Sequence, residues 1–450
     1  MKKIVIIGGG SLNWSFGFVR QFADSSRASE FRISLVDIDA DRLELVYSVE
    51  GKYIAETKSG LILEKADSLE DGLLGADFIL ITISTGGFDT MKHDLEIPEK
   101  YGIRHTVGDT VGPGGWSRCI RNIPVFYRIA EAAKRICPDA WILNMSNPLT
   151  PLTRVSSKYF GLKTIGMCPG VEEMVRTLVG LAGFDPATVR ADFTVTGIDH
   201  GSWITCIYAN GVNVFDSLKE KGYFRLDDAI PDVRFNDPLM GECNIRAAFA
   251  LWRLYGCFPA ISDRHTVENH SWYIGNRKDD NLPFALKRTY IGDRQKWSAE
   301  MLRKHKAYLH GELLADSVIA GHGNDPVPAV VEALSGGKEF YWTSNYGNIG
   351  QIEGLPSGAV VETRCRFDSA GVHPFTSPMP DIIKMLTLPT VLRQEAILDV
   401  ALAGTFDELV AIMASDPLCG HLSPMQIQQM TRELVEANSD YISNIRFKKN

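Results

Sequence analysis

The residues of this 450-residue chain best suited to chemistry fall in short clusters beside glycine, asparagine or proline, which place them on loops. Nearest the start is Gly8-Gly9-Gly10-Ser11, with Asn13 just beyond and Asp37 at the end of the next apolar run. A turn of glycines lets backbone amides close on a pyrophosphate. A carboxylate in the position of Asp37 accepts hydrogen bonds from the ribose hydroxyls of NAD and repels the extra phosphate of NADP. Gly8, Gly10, Ser11, Asn13 and Asp37 are therefore candidate cofactor-binding residues, although Asn13 stands where the usual fingerprint has its third glycine. Ser84-Thr85-Gly86-Gly87 and Asn144-Met145-Ser146-Asn147-Pro148 each follow an apolar run. Ser84, Thr85 and Asn144 would lie along the same cofactor, and Asn147 would face a substrate.

Further clusters carry charge or ligand atoms. Asp109, Arg118 and Arg121 flank the glycine-rich run Gly108–Gly115, and Arg264 lies in Asp263-Arg264-His265, shortly before Glu268. A planar guanidinium grips carboxylate, phosphate or sulfonate through two bonds, so Arg118, Arg121 and Arg264 suggest an anionic small molecule, with Asp109 a further candidate substrate-binding residue beside them. The competing employment of the arginines is salt bridging between lobes. Cys168 and His200 each end a strand-like run, and thiolate with imidazole is a donor pair for a borderline divalent metal. Asp263 and His265 can carry protons near neutral pH.

The elements needed to position these groups are legible too. Ile4–Ile7, Phe31–Val36, Ala76–Ile83, Ala140–Leu143 and Lys163–Met167 read as buried strands alternating with helices at 13–22, 41–57 and 124–135. That alternation predicts an α/β fold: a Rossmann-like, doubly wound parallel sheet over residues 1–200. Past about residue 205 it stops. Residues 201–450 are expected to form an interwoven α+β substrate and oligomerisation domain, with helical character over 276–315 and 386–445 and a second glycine-rich loop at Gly347–Pro356. Residues 108–115 hold too much glycine and proline for a helix or strand and predict a shaped loop.

Composition narrows the class of function. A formal charge of −8, with 45% hydrophobic and 23% charged residues, suits a globular enzyme and argues against nucleic acid or an anionic membrane as partner. The chain enters its first strand at once, no apolar run is long enough to span a bilayer, and the eight cysteines are scattered without CxxC spacing. A cytoplasmic protein with reduced thiols is expected.

Together these motifs resemble glycoside hydrolase family 4, the NAD-dependent glycosidases. The match runs from Ile7–Ser11 through Gly108-Asp109-Thr110, Asn144–Pro148, Gly197-Ile198-Asp199-His200 and Asp263-Arg264-His265 to Gly354-Leu355-Pro356. The Gly108–Gly115 run is most similar to the α-galacturonidase and α-glucuronidase branch. The resemblance implies NAD as cofactor, transient oxidation at C3 of an acidic hexoside, elimination across C1 and C2, water addition and re-reduction. It also implies a manganese ion on Cys168 and His200, substrate contact by Asn147, a homodimer or homotetramer, and a tyrosine base, for which Tyr255 is the candidate. Asp199, Asp263 and His265 are the alternative proton carriers. Two departures accompany it: Pro169 replaces a protonating residue, and Asp199 replaces an asparagine. The metal is thus left open between a manganese centre and its replacement by a charged side chain. Sulfoquinovosides and 6-phospho-glycosides are alternative substrates for the same chemistry, and a hydroxy-acid or sugar dehydrogenase is the alternative activity.

Overall fold

Apolar runs at the start of the chain form parallel strands: β1 (Lys2–Ile7), β2 (Phe31–Val36), β3 (Ile62–Lys65), β4 (Phe78–Ile81), β5 (Trp141–Asn144) and β6 (Thr164–Gly166). The computed structural model describes residues 1–226, 230–231, 233–237, 241–318 and 325–448. In its main sheet the first six strands lie in the order β6-β5-β4-β1-β2-β3, all parallel. β4 is buried at every position, as a strand covered by helices on both faces must be. The doubly wound parallel sheet is therefore present, and its strand order reverses between β1 and β4, where such sheets open a crevice.

Register sets the level of the site. Ile7 pairs with Val36 and Ile81, Ile81 with Asn144, and Asn144 with Gly166. Five strands thus end in one row, and Gly8, Asp37, Thr82, Met145 and Met167 leave the sheet side by side.

The same sheet continues into the second half of the chain. Strand Phe340–Gly347 joins β6 antiparallel, followed by Val360–Asp368 and Gly371–Pro374. A smaller antiparallel sheet contains β7 (Ala191–Thr196) and β8 (Trp203–Ala209). Helices Asp381–Ala403, Phe406–Ser415 and Pro424–Ala437 follow, the last two opened by capping boxes at Thr405 and Ser423. One apolar core joins Ile81 and Ile142 of the parallel strands to Ile397, Leu398 and Leu409 of these helices. Residues on both sides of the expected division at 200 therefore share a sheet and a core. No helix among the described residues is long and apolar enough to cross a membrane.

Two expectations fail locally. The glycine-rich run does not remain a loop, because helix Gly112–Ile136 begins inside it. Pro113 sits in the first turn, where an amide would lack a helical partner anyway. Gly115 is required by a close approach, since a Cβ there would lie 2.5 Å from the Thr110 carbonyl carbon. In the charged region 276–315, the α-helix is confined to Ile291–Leu309, with Pro283 and the residues around it in an irregular path.

Candidate active site

The turn after β1 has the shape of a dinucleotide cradle. Gly8 has φ +95°, and a Cβ on it would lie 2.2 Å from the Thr82 carbonyl oxygen, so only glycine fits. The Gly8 and Gly9 amides donate to the Val36 carbonyl at 2.9 and 3.0 Å, and the Ser11 amide donates to the Gly8 carbonyl at 3.0 Å. Gly10 donates its amide hydrogen to Asp37 Oδ2 at 2.8 Å, so the carboxylate expected to meet a ribose also fastens the turn. Asn13 Oδ1 is buried with no donor among the described residues. An orphaned acceptor, a carboxylate and a glycine backbone at the opening of helix Ser15–Asp24 are a donor and acceptor set that fits NAD.

Along the row, Arg118 donates from Nη2 to Ser84 Oγ at 3.2 Å and from Nε to the Asn147 carbonyl at 3.0 Å. Thr85 is held through its amide by Asn122 Oδ1 at 3.1 Å. Asn144 is fully buried, and its side chain ties its own loop, donating to Ser146 O, Leu149 O and Thr153 Oγ1. It shapes the strand end and has no side-chain surface left for a cofactor.

The centre of the cleft is Asp109. Its Oδ1 accepts from the Thr110 hydroxyl at 2.8 Å and its Oδ2 from Asn147 Nδ2 at 3.0 Å. His200 and His265 face it with Nδ1 atoms at 4.0 and 3.9 Å, and their rings lie 3.8 Å apart between centroids, tilted by 39°. The Thr110 hydroxyl hydrogen is directed at Asp109, so its oxygen accepts from His200 Nδ1–H, at 2.7 Å. That network assigns the tautomer and leaves the lone pair of His200 on Nε2. His200 holds left-handed backbone, φ +58°, with its carbonyl accepting from Asn269 Nδ2 at 3.0 Å. Such a conformation in a non-glycine residue is a mark of a constrained site.

On the Nε2 side lie Cys168 Sγ at 3.9 Å and Asp199 Oδ2 at 3.6 Å. Both Asp199 oxygens are buried without a hydrogen-bond donor. Glu362, from strand Val360–Asp368, accepts from Ser202 Oγ at 2.6 Å and from Asn345 Nδ2 at 2.9 Å. Burial raises the Asp199 carboxyl well above its ordinary range, and the Glu362 and Asp109 carboxylates push it the same way. Burial likewise raises Glu362 to about 7. For His200 burial, then the neighbouring His265, lowers the imidazole to about 3, against the pull of Asp109. Burial works against the charge of Asp109, yet the facing imidazoles of His265 and His200 and the Arg118 guanidinium hold it below the usual carboxylate range. Cys168, Asp199 and His200 present sulfur, oxygen and nitrogen within 4.8 Å of one another, a set that fits a divalent transition metal.

Several expected site residues are employed elsewhere. Arg121 is fully buried in an ion pair with Asp94, Nη1 lying 2.8 Å from Oδ1. Arg264 donates to Lys287 O, Thr106 O and Thr289 Oγ1, holding two loops together. Asp263 accepts the amides of Ala247 and Ala248 at 2.8 Å each and opens helix Arg246–Tyr255. Tyr255 stands between Trp203 and His270 and lines a cavity of about 350 Å³ that His200 also borders. Burial pushes its phenol up, with no cation acting to lower it. Of the four candidate proton carriers, His265 and Asp199 stand at the centre of the cleft.

Thr110, Glu362 and Glu268 were not among the expected site residues. Glu268 is buried, and its Oε1 accepts from the amides of Val107 and Gly108 at 2.8 Å each and from His105 Nδ1 at 3.0 Å. His105 Nε2 accepts in turn from the Gly114 amide at 3.2 Å. The available signal for Glu362 was a carboxylate directly after the apolar run Ala359-Val360-Val361, and for Glu268 its place in the polar stretch that opens at Asp263.

The chain matches the family models described as family 4 glycosyl hydrolase, over residues 3–181, and its C-terminal domain, over residues 195–419. It is 32% identical to an α-galacturonidase of Thermoanaerobacterium saccharolyticum, over 99% of this chain and 97% of that one. Among solved structures, a Bacillus subtilis protein assigned as a glucosidase superposes with a TM-score of 0.84 at 27% identity, covering 96% of this chain and 99% of that one. The 6-phospho-β-glucosidase of Thermotoga maritima, solved with manganese, NAD and glucose-6-phosphate, shares the fold with a TM-score of 0.74 at 18% identity, over 98% and 99%.

Proposed function

The chain belongs to family 4 of the glycosyl hydrolases, and from that membership we propose that it cleaves glycosides of an acidic hexose, uronides first, with NAD required but not consumed. The single observation that supports this reading best is the placement of the Gly8–Asp37 cradle, Asn147 and Cys168 just past one row of strand ends, with Asp109 held by Asn147 and His200 beside Cys168. Similarity to an α-galacturonidase supports the uronide.

When bound, NAD supplies a reversible hydride acceptor for C3 of the sugar, which acidifies the C2 hydrogen so that the aglycone leaves C1 before water adds and the hydride returns. Gly8, Gly10, Ser11, Asn13 and Asp37 would hold it, with Ser84 and Thr85 alongside. A divalent metal would rest on Cys168 and His200 and supply a Lewis acid for the sugar oxygens. Arg118, which has no acceptor at Nη1 among the described residues, would grip the sugar's carboxylate with Asn147 beside it. Asp109 keeps His265 and His200 oriented, and His265 is the group best placed to move a proton. Tyr255 remains the base implied by family resemblance, acting from the adjoining cavity. A dimer or tetramer is expected on the same ground.

Hydrolysis of p-nitrophenyl α-galacturonide with and without NAD tests the reading. Release that requires NAD, leaves no net NADH and carries solvent deuterium into C2 is expected. Steady accumulation of NADH would make the chain a hydroxy-acid or sugar dehydrogenase. Activity confined to sulfoquinovosides or 6-phospho-glycosides in the same panel would move the substrate and keep the chemistry.

A further inference from the structure

We propose that Asp199 is a third, anionic protein ligand of the metal, so that this chain holds a divalent ion on thiolate, carboxylate and imidazole before cofactor or sugar arrives. The assignment rests on the family reading for Cys168 and His200 and on geometry for Asp199.

Asp199 is 2% exposed, and neither of its oxygens has a hydrogen-bond partner of good geometry, the one donor near it being the Cys168 thiol. The neighbouring carboxylates are different. Glu362 is satisfied by Ser202 and Asn345, and Asp109 by Thr110 and Asn147. Among the described residues no lysine or arginine pairs with Asp199, whose one basic neighbour is His200. A buried carboxylate without a donor or counter-charge is costly enough that an absent cation is the natural partner.

The other two donors converge on the same point. Thr110 fixes His200 Nδ1 as the protonated nitrogen, which aims the Nε2 lone pair at Asp199 Oδ2, 3.6 Å away, and Cys168 Sγ, 3.9 Å away. Ligand atoms bound to one ion at about 2.0 to 2.3 Å stand roughly 3 to 4 Å apart, so these separations need little rearrangement. The Gly170 amide donates to Cys168 Sγ at 3.5 Å, a contact that favours the thiolate. A Cβ on Gly170 would lie 1.9 Å from the Ile261 Cδ1 methyl, so a larger residue there would have to displace that side chain. Two anionic ligands neutralise a divalent ion in this setting, whereas cysteine and histidine alone leave it a net positive charge.

Titration of metal-stripped, full-length protein with Mn²⁺, in the absence of NAD and sugar, tests the assignment through the EPR signal of the free aqua ion. One ion per chain is expected, with affinity reduced about tenfold or more in D199N. D199A should behave alike. D199N should melt no lower than the parent when metal-free, since the substitution breaks no hydrogen bond of the Asp199 side chain. In Co²⁺-loaded protein the thiolate charge-transfer band should persist in D199N and vanish in C168S. Parental Mn²⁺ affinity in D199N, or no binding to the parent without NAD, overturns the proposal. Because no glycoside is present, failure here is separate from failure to hydrolyse uronides, which would sink the substrate reading and leave the ligand set standing.

Discussion

Arg118 and Arg121 lie one turn apart on helix Gly112–Ile136 and have opposite employments. Arg121 is sealed against Asp94 with both side chains fully buried, whereas Arg118 links Ser84 to Asn147 at the cleft and keeps one amino group without an acceptor among the described residues. Removing one partner of a buried pair leaves a charge uncompensated, so R121A should destabilise the protein by about 3–5 kcal/mol, measured as the shift in its urea midpoint. R118K should keep that midpoint and instead raise KM for uronides more than for neutral glycosides, because lysine's single ammonium cannot hold Ser84 and Asn147 and still present a donor to the carboxylate. An equal rise for both substrates would remove Arg118 from carboxylate recognition. His270 gives a second prediction at this scale. It is 4% exposed among the rings of Trp203, Tyr255, Trp272 and Tyr273, and burial lowers its imidazole from 6.5 to about 4. The unfolded chain takes up that proton below about pH 6.5 and the folded chain resists until about 4, so stability present above 6.5 is lost between them, by about 3 kcal/mol. Followed from pH 7 to 4, the unfolding free energy of the parent should fall relative to that of H270Q by that amount. A flat difference would mean the ring is solvated. Asp109, Asn147, Cys168 and His200 were legible because each adjoins a strand end or a glycine run. The roles of Arg121, Arg264 and Asp263 were not, because their partners Asp94, Thr289 and the amides of Ala247 and Ala248 are distant positions that no local pattern connects to them.

At the scale of elements, the segment that carries Asp109 has no regular structure of its own and is shaped by one carboxylate. Glu268 gathers the Val107 and Gly108 amides, and His105 passes the restraint to the Gly114 amide at the helix start. E268A would leave two buried amides unpaired at about 1–3 kcal/mol each, a loss of about 2–6 kcal/mol in all. It should also lower kcat more than KM, since Asp109 would lose its register against His200 and His265. Loss of stability at unchanged kcat would show that the segment keeps its shape without the tether. The strands and most helices were readable from apolar periodicity. The opening of helix Gly112–Ile136 was not, because glycine and proline disfavour a helix interior but not a first turn in which a Cβ at Gly115 would lie 2.5 Å from the Thr110 carbonyl carbon.

Across the whole molecule, the two halves of the chain complete each other's sheet and core. Residues 1–200 end the parallel sheet at β6, whose open edge is covered by Phe340–Gly347, while the helix Gly112–Ile136 shares its apolar cluster with Asp381–Ala403. A fragment of residues 1–200 would expose that edge and the face against which Ile397, Leu398 and Leu409 pack. It should therefore fail to unfold cooperatively, although its strand order is that of a dinucleotide-binding unit. The intact chain should lose far-ultraviolet and near-ultraviolet circular dichroism at one urea concentration, as a single cooperative unit does. NAD bound at the amino-terminal turn should then protect the carboxyl-terminal helices: at a concentration one hundred times Kd it stabilises the folded state by about 2.7 kcal/mol. Amide hydrogens of Asp381–Ala403 that exchange only through global unfolding should slow by the matching factor. If they exchange at the same rate with and without NAD while those of β1 slow, the halves unfold independently and the shared core does not couple them.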